Sequence, residues 1–233
     1  MEKKKVLCII PARGGSKRIP HKNISLFKGA PIISYSIKTV LDSGIADEIM
    51  VSTDDEKIAE IAKQYGAKVP FFRDESTSND FAGVADVLVE VVNKYKEIGQ
   101  EFEYVICVFA TDPLLRSENL SDAFHQLECT PDAESISTAE EYSFPPQRGL
   151  IIEEGILKML HPENYSCRSQ DFQKIYHDSN QFFIYRTEAL LHYKKLYTNK
   201  NLPFIIKSSE SQDIDTMEDW AIAEMKYDLI HNS

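Results

Sequence analysis

The sequence predicts an α/β fold, a mostly parallel sheet carrying helices on both faces. Three observations predict it. Short apolar runs of strand length recur at 6–11, 48–52 and 104–110, each bounded by turn-forming residues. Between them lie segments with apolar residues at helical spacing, and strands alternating with helices of this length imply βαβ units. The length of 233 residues suffices for one such domain with a sizeable core and is tight for two.

The run 6–11 is continuously apolar, as a parallel strand buried on both faces must be. It opens into a loop from Ala12 to about Gly29. Pro31 suits a first helical position, Ile33, Ile37, Val40 and Leu41 make one apolar face, and Gly44 is a stop. After the second strand, Thr53-Asp54-Asp55-Glu56 has capping-box spacing, and Ile58, Ile61, Ala62 and Tyr65 carry a helix to Gly66. Val84, Val87, Leu88, Val91, Val92 and Tyr95 predict a third helix that closes at Gly99. A strand over 104–110 and a helix from about Ser117 through Leu120, Phe124 and Leu127 come next. The segment 144–176 then breaks the rhythm. It holds a hairpin pattern, 149–152 and 156–160 around Glu153-Glu154-Gly155, followed by a polar irregular stretch. The expectation is one domain over 1–233 with 144–176 inserted as an excursion suited to subunit contact. The pattern resumes at 181–186 and 203–207, and a last helix presents Trp220, Ala223, Tyr227 and Ile230.

Composition narrows the function. Hydrophobic residues make up 42% and charged residues 27%, the mix of an ordered globular chain. A net charge of −11 disfavours nucleic acid and anionic membrane as general partners. No apolar run approaches the roughly 20 residues of a membrane span, and the apolar stretch after the first lysines is too short for a signal peptide. A cytoplasmic location is expected. The four cysteines, Cys8, Cys107, Cys129 and Cys167, form no CxxC pair, so neither a disulfide framework nor a zinc site is indicated.

Against this acidic background Arg13, Lys17, Arg18 and Lys22 crowd into ten positions directly after the first strand. Ligands of parallel sheets bind beyond the carboxyl ends of the strands. There, Ala12-Arg13-Gly14-Gly15-Ser16-Lys17 through Lys22-Asn23 combines glycines, which let backbone N–H groups approach phosphate oxygens, with side chains that donate charge-assisted hydrogen bonds. A nucleoside triphosphate cradle and a solvated basic loop both fit this composition. The loop is neither a Walker A motif nor a GxGxxG fingerprint.

Asp213-Ile214-Asp215 precedes the last helix. In an extended chain residues i and i+2 point the same way, so both carboxylates can converge on one hard cation such as magnesium. Alternatively Asp215 is a helix N-cap with Glu218 three residues on. A third constellation, Arg168 and Gln170 with His177, Asp178 and Gln181, offers groups for a carboxylate and for hydroxyls or amides, and equally fits a hydrogen-bonded loop at a subunit interface. His177 and Asp178 are adjacent on a strand and face opposite sides, which argues against a catalytic dyad.

The phrase IIPARGGSKRIPHKNI, with VSTDDEKIAEIAKQYGAKVPFFR and QDIDTMEDW further on, resembles the cytidylyltransferases that act on acidic sugars, the CMP-sialic acid synthetases and their relatives. The runs FPPQRGL, RSQDF and YHDSNQFFIYR resemble the pseudaminic acid branch. Phe109 stands where typical sialic acid synthetases carry a sugar-contacting Gln, which argues against N-acetylneuraminate. The resemblance implies a Rossmann-like fold of the nucleotide-diphospho-sugar transferase type, and transfer of CMP from CTP to the anomeric hydroxyl of a nine-carbon sugar acid with release of pyrophosphate. It implies that Ala12, Arg13, Gly14, Gly15, Ser16, Lys17, Lys22 and Asn23 bind the nucleotide, with Ser52, Asp54 and Arg73 beside it. It implies that Lys22, Asp213 and Asp215 are catalytic, the two aspartates holding Mg2+. Arg168, Gln170, His177, Asp178 and Gln181 become the sugar contacts, and 144–176 the segment that builds a homodimer. Legionaminate, N-acetylneuraminate or an eight-carbon acid are the rival sugars. A nucleotide sensor without turnover is the rival from another class, and it would lack one of the metal carboxylates.

Overall fold

The structure, a computed structural model, describes residues 5–78 and 82–231. Residues 1–4, 79–81 and 232–233 of the expected domain fall outside them. The chain begins with β1 (Val6–Pro11), the short pair β2 (Leu26–Phe27) and β3 (Ala30–Pro31), α1 (Ile32–Ser43) and β4 (Glu48–Ser52). It continues through α2 (Glu56–Gln64), α3 (Glu75–Ser78), α4 (Val84–Glu97), β5 (Tyr104–Val108), α5 (Ser117–Glu128) and β6 (Ser135–Glu141). The hairpin β7 (Leu150–Glu153) and β8 (Ile156–Met159) leads to β9 (Tyr176–Arg186), α6 (Thr187–Tyr193), β10 (Asn201–Ile206) and α7 (Met217–His231).

The main sheet has the order β10-β6-β9-β5-β1-β4, with β9 antiparallel to both neighbours and every other pairing parallel. The expected mostly parallel sheet is therefore present. The continuous run of β1 is explained by two cores. Val6, Cys8 and Ile10 pack with Ile33 and Ile37 of α1, Ile58 of α2 and Leu120 of α5. Leu7 and Ile9 pack on the opposite face with Leu88 and Val91 of α4 and Leu190 of α6. Each such buried aliphatic side chain contributes about 1.5–3 kcal/mol over an exposed one. A third cluster seats Trp220 and Ala223 of α7 on Phe27 and Ile32, and Ile214 belongs to it. That cluster fixes where the acidic loop before α7 lies.

Two caps differ from the sequence reading. Asp55, not Thr53, caps α2, its carboxylate accepting the N–H groups of Lys57 and Ile58 at 2.8 and 3.1 Å. At α7 the reciprocal cap is Thr216 with Asp219: Asp219 accepts the Thr216 N–H at 2.8 Å and donates its own N–H to the Thr216 hydroxyl at 3.2 Å. Asp215 is thereby released from capping. Gly44 ends α1 in the left-handed region at φ 65°, where glycine is the least strained residue.

Strand β6 and helix α6 were not expected. In β6 the side chains of Ser135, Ser137 and Thr138 are buried where aliphatic ones would give a strand signal. They are satisfied internally: Ser135 bonds Thr198 and Asn201 at 2.7 Å, and Asn201 donates to Ser137 at 2.8 Å. The excursion 144–176 does leave the sheet. It departs from the tip of β6 and returns into β9, Glu141 lying opposite Tyr176, so it projects from the same sheet end as the loop after β1. Its β7–β8 turn has Glu154 and Gly155 at φ 52° and 78°, the positive values of a two-residue type I′ hairpin.

Candidate active site

The loop leaving β1 is drawn down onto β4. Ala12 N–H donates to Ser52 O at 2.9 Å, and the Gly14 N–H, expected to face a phosphate, donates instead to the Asp54 carboxylate at 2.9 Å. Gly14 also has no room for a side chain, because a Cβ there would sit 2.8 Å from an Asp55 carboxylate oxygen. Gly15 has open space on that side. Asn23 is buried and donates to the Arg13 carbonyl at 2.9 Å, which folds the far end of the loop back on its start. The result is a cleft of about 620 Å³ whose cationic rim includes Arg13, Lys17, Arg18 and Lys22, with Ser16 and Asn23 among them.

Arg73 also lines this cleft. Its guanidinium donates to Ser52 Oγ at 3.1 Å and Ser52 O at 2.6 Å, so the buried Ser52 holds a residue of the cleft lining. Burial pushes the Arg73 guanidinium below its ordinary range, with Asp54 and Glu90 opposing. Phe109, Ala110 and Thr111, just past β5, form the floor.

The two charged segments meet at the cleft's edge. Lys22 Nζ donates to Ile214 O at 2.5 Å and stands 3.6 Å from Asp215 Oδ1, while Arg18 contacts the same carboxylate at 2.6 Å. Asp213 is exposed to solvent as a residue. Partial desolvation of its carboxyl and the neighbouring Asp215 push it up, while Lys22 and Arg18 pull it down. Beside it lies Asp112, a residue the sequence reading had not chosen. Burial pushes the Asp112 carboxyl up to about 8, against the Leu114 and Leu115 N–H groups and with Asp213 adding to the rise. Its Oδ1 accepts from Leu114 N–H at 3.2 Å, and its Oδ2 is buried with no hydrogen-bond partner. The available signal was position: Thr111-Asp112 follows the carboxyl end of a central parallel strand.

A cationic loop, an acidic loop and an arginine wall around one cleft at the carboxyl ends of β1, β4 and β5 can hold a nucleoside polyphosphate. A sequence model of the family described as cytidylyltransferase matches residues 7–226. The chain belongs to the cytidylyltransferase family. This cytidylyltransferase is 39% identical over 230 residues to the pseudaminic acid cytidylyltransferase of Campylobacter jejuni subsp. jejuni serotype O:2, the match covering 98% of this chain and 99% of the relative. It is 32% identical over 230 residues to the CMP-N,N'-diacetyllegionaminic acid synthase of Legionella pneumophila subsp. pneumophila, with 97% of each chain covered. In fold it is similar to CMP:2-keto-3-deoxy-manno-octonic acid synthetase complexed with CTP, at a TM-score of 0.71 and 19% identity over 98% of this chain and 100% of that one.

The expected sugar contacts do not assemble around this cleft in the cytidylyltransferase chain. Arg168 and Gln170 lie in the projecting segment, where Arg168 pairs with Asp171 at 3.0 Å. His177 lies over the Tyr142 ring, centroids 4.7 Å apart, and its Nδ1 faces the Asp178 carbonyl rather than the Asp178 carboxylate. Asp178 accepts instead from the Tyr197 hydroxyl at 2.9 Å and from Asn180 N–H at 2.8 Å, so no His-Asp dyad exists. Gln181 is buried, and its amide donates to the Glu210 carbonyl at 2.6 Å. It thus fastens the loop that carries Asp213 and Asp215 to β9. Lys226 adds a second anchor, donating to Ser211 O at 2.6 Å. Among the described residues no three His, Cys, Asp or Glu side chains are grouped as a ready metal cluster, and Asp215 is paired with Arg18 and Lys22. Among them, too, no helix is long and apolar enough to cross a membrane.

Proposed function

We propose that this chain joins CMP from CTP to the anomeric hydroxyl of a nine-carbon sugar acid of the pseudaminic type. The observation that carries this reading is the meeting of Lys22, which lines the cleft, with Ile214 and Asp215 of the acidic loop. The 39% identity to a pseudaminic acid enzyme along nearly the whole chain supports the sugar. The anomeric oxygen attacks the α-phosphorus and loses its proton to water, the bond from that phosphorus to the α–β bridging oxygen breaks, and pyrophosphate leaves. Two anions must approach, so the principal task of the protein is electrostatic and positional.

Arg13, Lys17 and Lys22 hold the triphosphate, with Ser16 and Asn23 as polar contacts and Arg73 toward the base. Asp213 and Asp215 hold Mg2+, and Asp112 stands with them. The donor set fits a hard cation: a buried Asp112 oxygen without a partner lies beside the Asp213 carboxyl, whose ionisation is hindered by desolvation and by Asp215. Bound there, the ion supplies neutralisation of phosphate charge. Gln181 serves by holding the acidic loop.

Residues 1–233 act as one catalytic domain in this reading, and 144–176 is the dimerisation segment that brings Arg168 and Gln170 to the partner's sugar site. Its exposed apolar side chains support this, Ile152 being 74% and Tyr165 76% accessible in the single chain. A cytoplasmic location fits the use of CTP and four unpaired thiols. The test is pyrophosphate release from CTP and Mg2+ with purified pseudaminic, legionaminic and N-acetylneuraminic acids. Fastest release with pseudaminic acid is expected. Faster release with another sugar would reassign the substrate, and release with none would favour a sensor.

A further inference from the structure

Helix α4 carries Glu90 and Lys94 one turn apart, their charged ends 2.7 Å from each other. Both reach off the helix onto the segment that runs from Phe71 to Ser78. The Glu90 carboxylate accepts the Asp74 N–H at 3.0 Å and the Thr77 hydroxyl. Lys94 donates to the Phe72 carbonyl at 2.9 Å and the Asp74 carboxylate at 2.8 Å, with its ammonium 5.3 Å from the Phe71 ring centroid. This is no loose surface pair, since the Glu90 and Lys94 side chains are 10% and 20% accessible. Between these anchors sits Arg73, and both Arg73 and Thr77 line the cleft. From the other side Arg73 is pinned to the chain after β4, its N–H donating to Thr53 O at 2.9 Å.

We propose that Glu90, braced by Lys94, is a positioning residue that sets this segment as the arginine-bearing wall of the nucleotide cleft, and so governs affinity for CTP without touching it. The proposal rests on the cleft being the CTP site. Its physical basis is that the segment contains only the short α3, too little regular structure to hold Arg73 in place alone. Removing a nearly buried carboxylate leaves the Asp74 N–H without its acceptor, the Thr77 hydroxyl with only the Asp74 carbonyl, and Lys94 without one of its two anions. The groups given to the chemistry, Lys22, Asp213 and Asp215, stand on other loops, around Arg18 and Ile214. The effect should fall on CTP binding and spare turnover and the sugar.

The experiment compares Glu90→Ala and Glu90→Gln with the wild type in three readouts: calorimetric CTP binding, KM for each substrate with kcat, and amide exchange across residues 71–78. Glu90→Ala should weaken CTP binding and raise its KM about tenfold, with kcat and the sugar KM within about threefold of wild type. Exchange in the segment should accelerate. Glu90→Gln keeps an acceptor and should lie between the two. Unchanged CTP affinity in either folded variant, or an equal loss in both substrate KM values, would overturn the proposal. If the wild type itself binds no CTP, the cleft assignment falls instead, and unchanged exchange in the variants would still refute the anchoring role.

Discussion

The rim of the cleft and the projecting segment 144–176 spring from the same end of one sheet, yet they are finished differently. At the rim nearly every polar group named above has a partner within the chain: Asn23 with Arg13, Arg73 with Ser52, Lys22 with Ile214. On the projecting hairpin, Leu150, Ile152, Ile156 and Leu157 stand exposed. Large apolar side chains gathered on a segment with little core of its own mark a contact surface. In the proposed reading the difference means that one chain builds the nucleotide half of the site, while the exposed apolar segment is the surface a partner would cover.

The strongest way to break this comparison is Asp215→Asn. With capping assigned to Thr216 and Asp219, the substitution should leave the unfolding transition nearly unchanged and lower kcat by a factor on the order of 10² to 10³, measured as pyrophosphate release. A comparable loss of thermal stability would return Asp215 to a structural role. Lys22→Ala should come next, raising the Kd for CTP on the order of tenfold, and more at low salt than at high salt. An affinity indifferent to salt would place Lys22 away from the phosphates.

The projecting segment gives a smaller and different expectation. Ile152→Glu should weaken self-association, read by sedimentation, while CTP binding by the single chain stays within about twofold of wild type. A variant that still dimerises would locate the contact elsewhere. Smallest is Asn201→Ala, which removes acceptor and donor for Ser135 and Ser137 inside the sheet and should cost about 1–3 kcal/mol in denaturant unfolding, without changing the KM for CTP.

Much of this was legible because chemistry and pattern coincided. The apolar run of β1, the glycine stop at Gly44 and the basic cluster from Arg13 to Lys22 each have one strong local cause. Strand β6 was hidden since its interior is bonded by hydroxyls and an amide, and hydrophobic periodicity cannot register them. Asp112 was passed over because its significance comes from burial and from Asp213, which is distant in sequence. The caps at Asp55 and Thr216 were misplaced by a residue or two, since several adjacent Asp and Thr side chains fit the same spacing. Gln181 reads as a sugar contact by resemblance and from its neighbours along the strand; the partner of its amide N–H, the Glu210 carbonyl, comes from a loop no local pattern predicts.

The central claim is that the basic turn after β1 and the acidic turn before α7 serve one reacting centre. A double-mutant cycle of Lys22→Ala and Asp215→Asn on kcat/KM for CTP tests it most directly. The account predicts strong non-additivity, with the double variant about as slow as the worse single one. Effects that multiply independently, additive in free energy within about 0.5 kcal/mol, would contradict it.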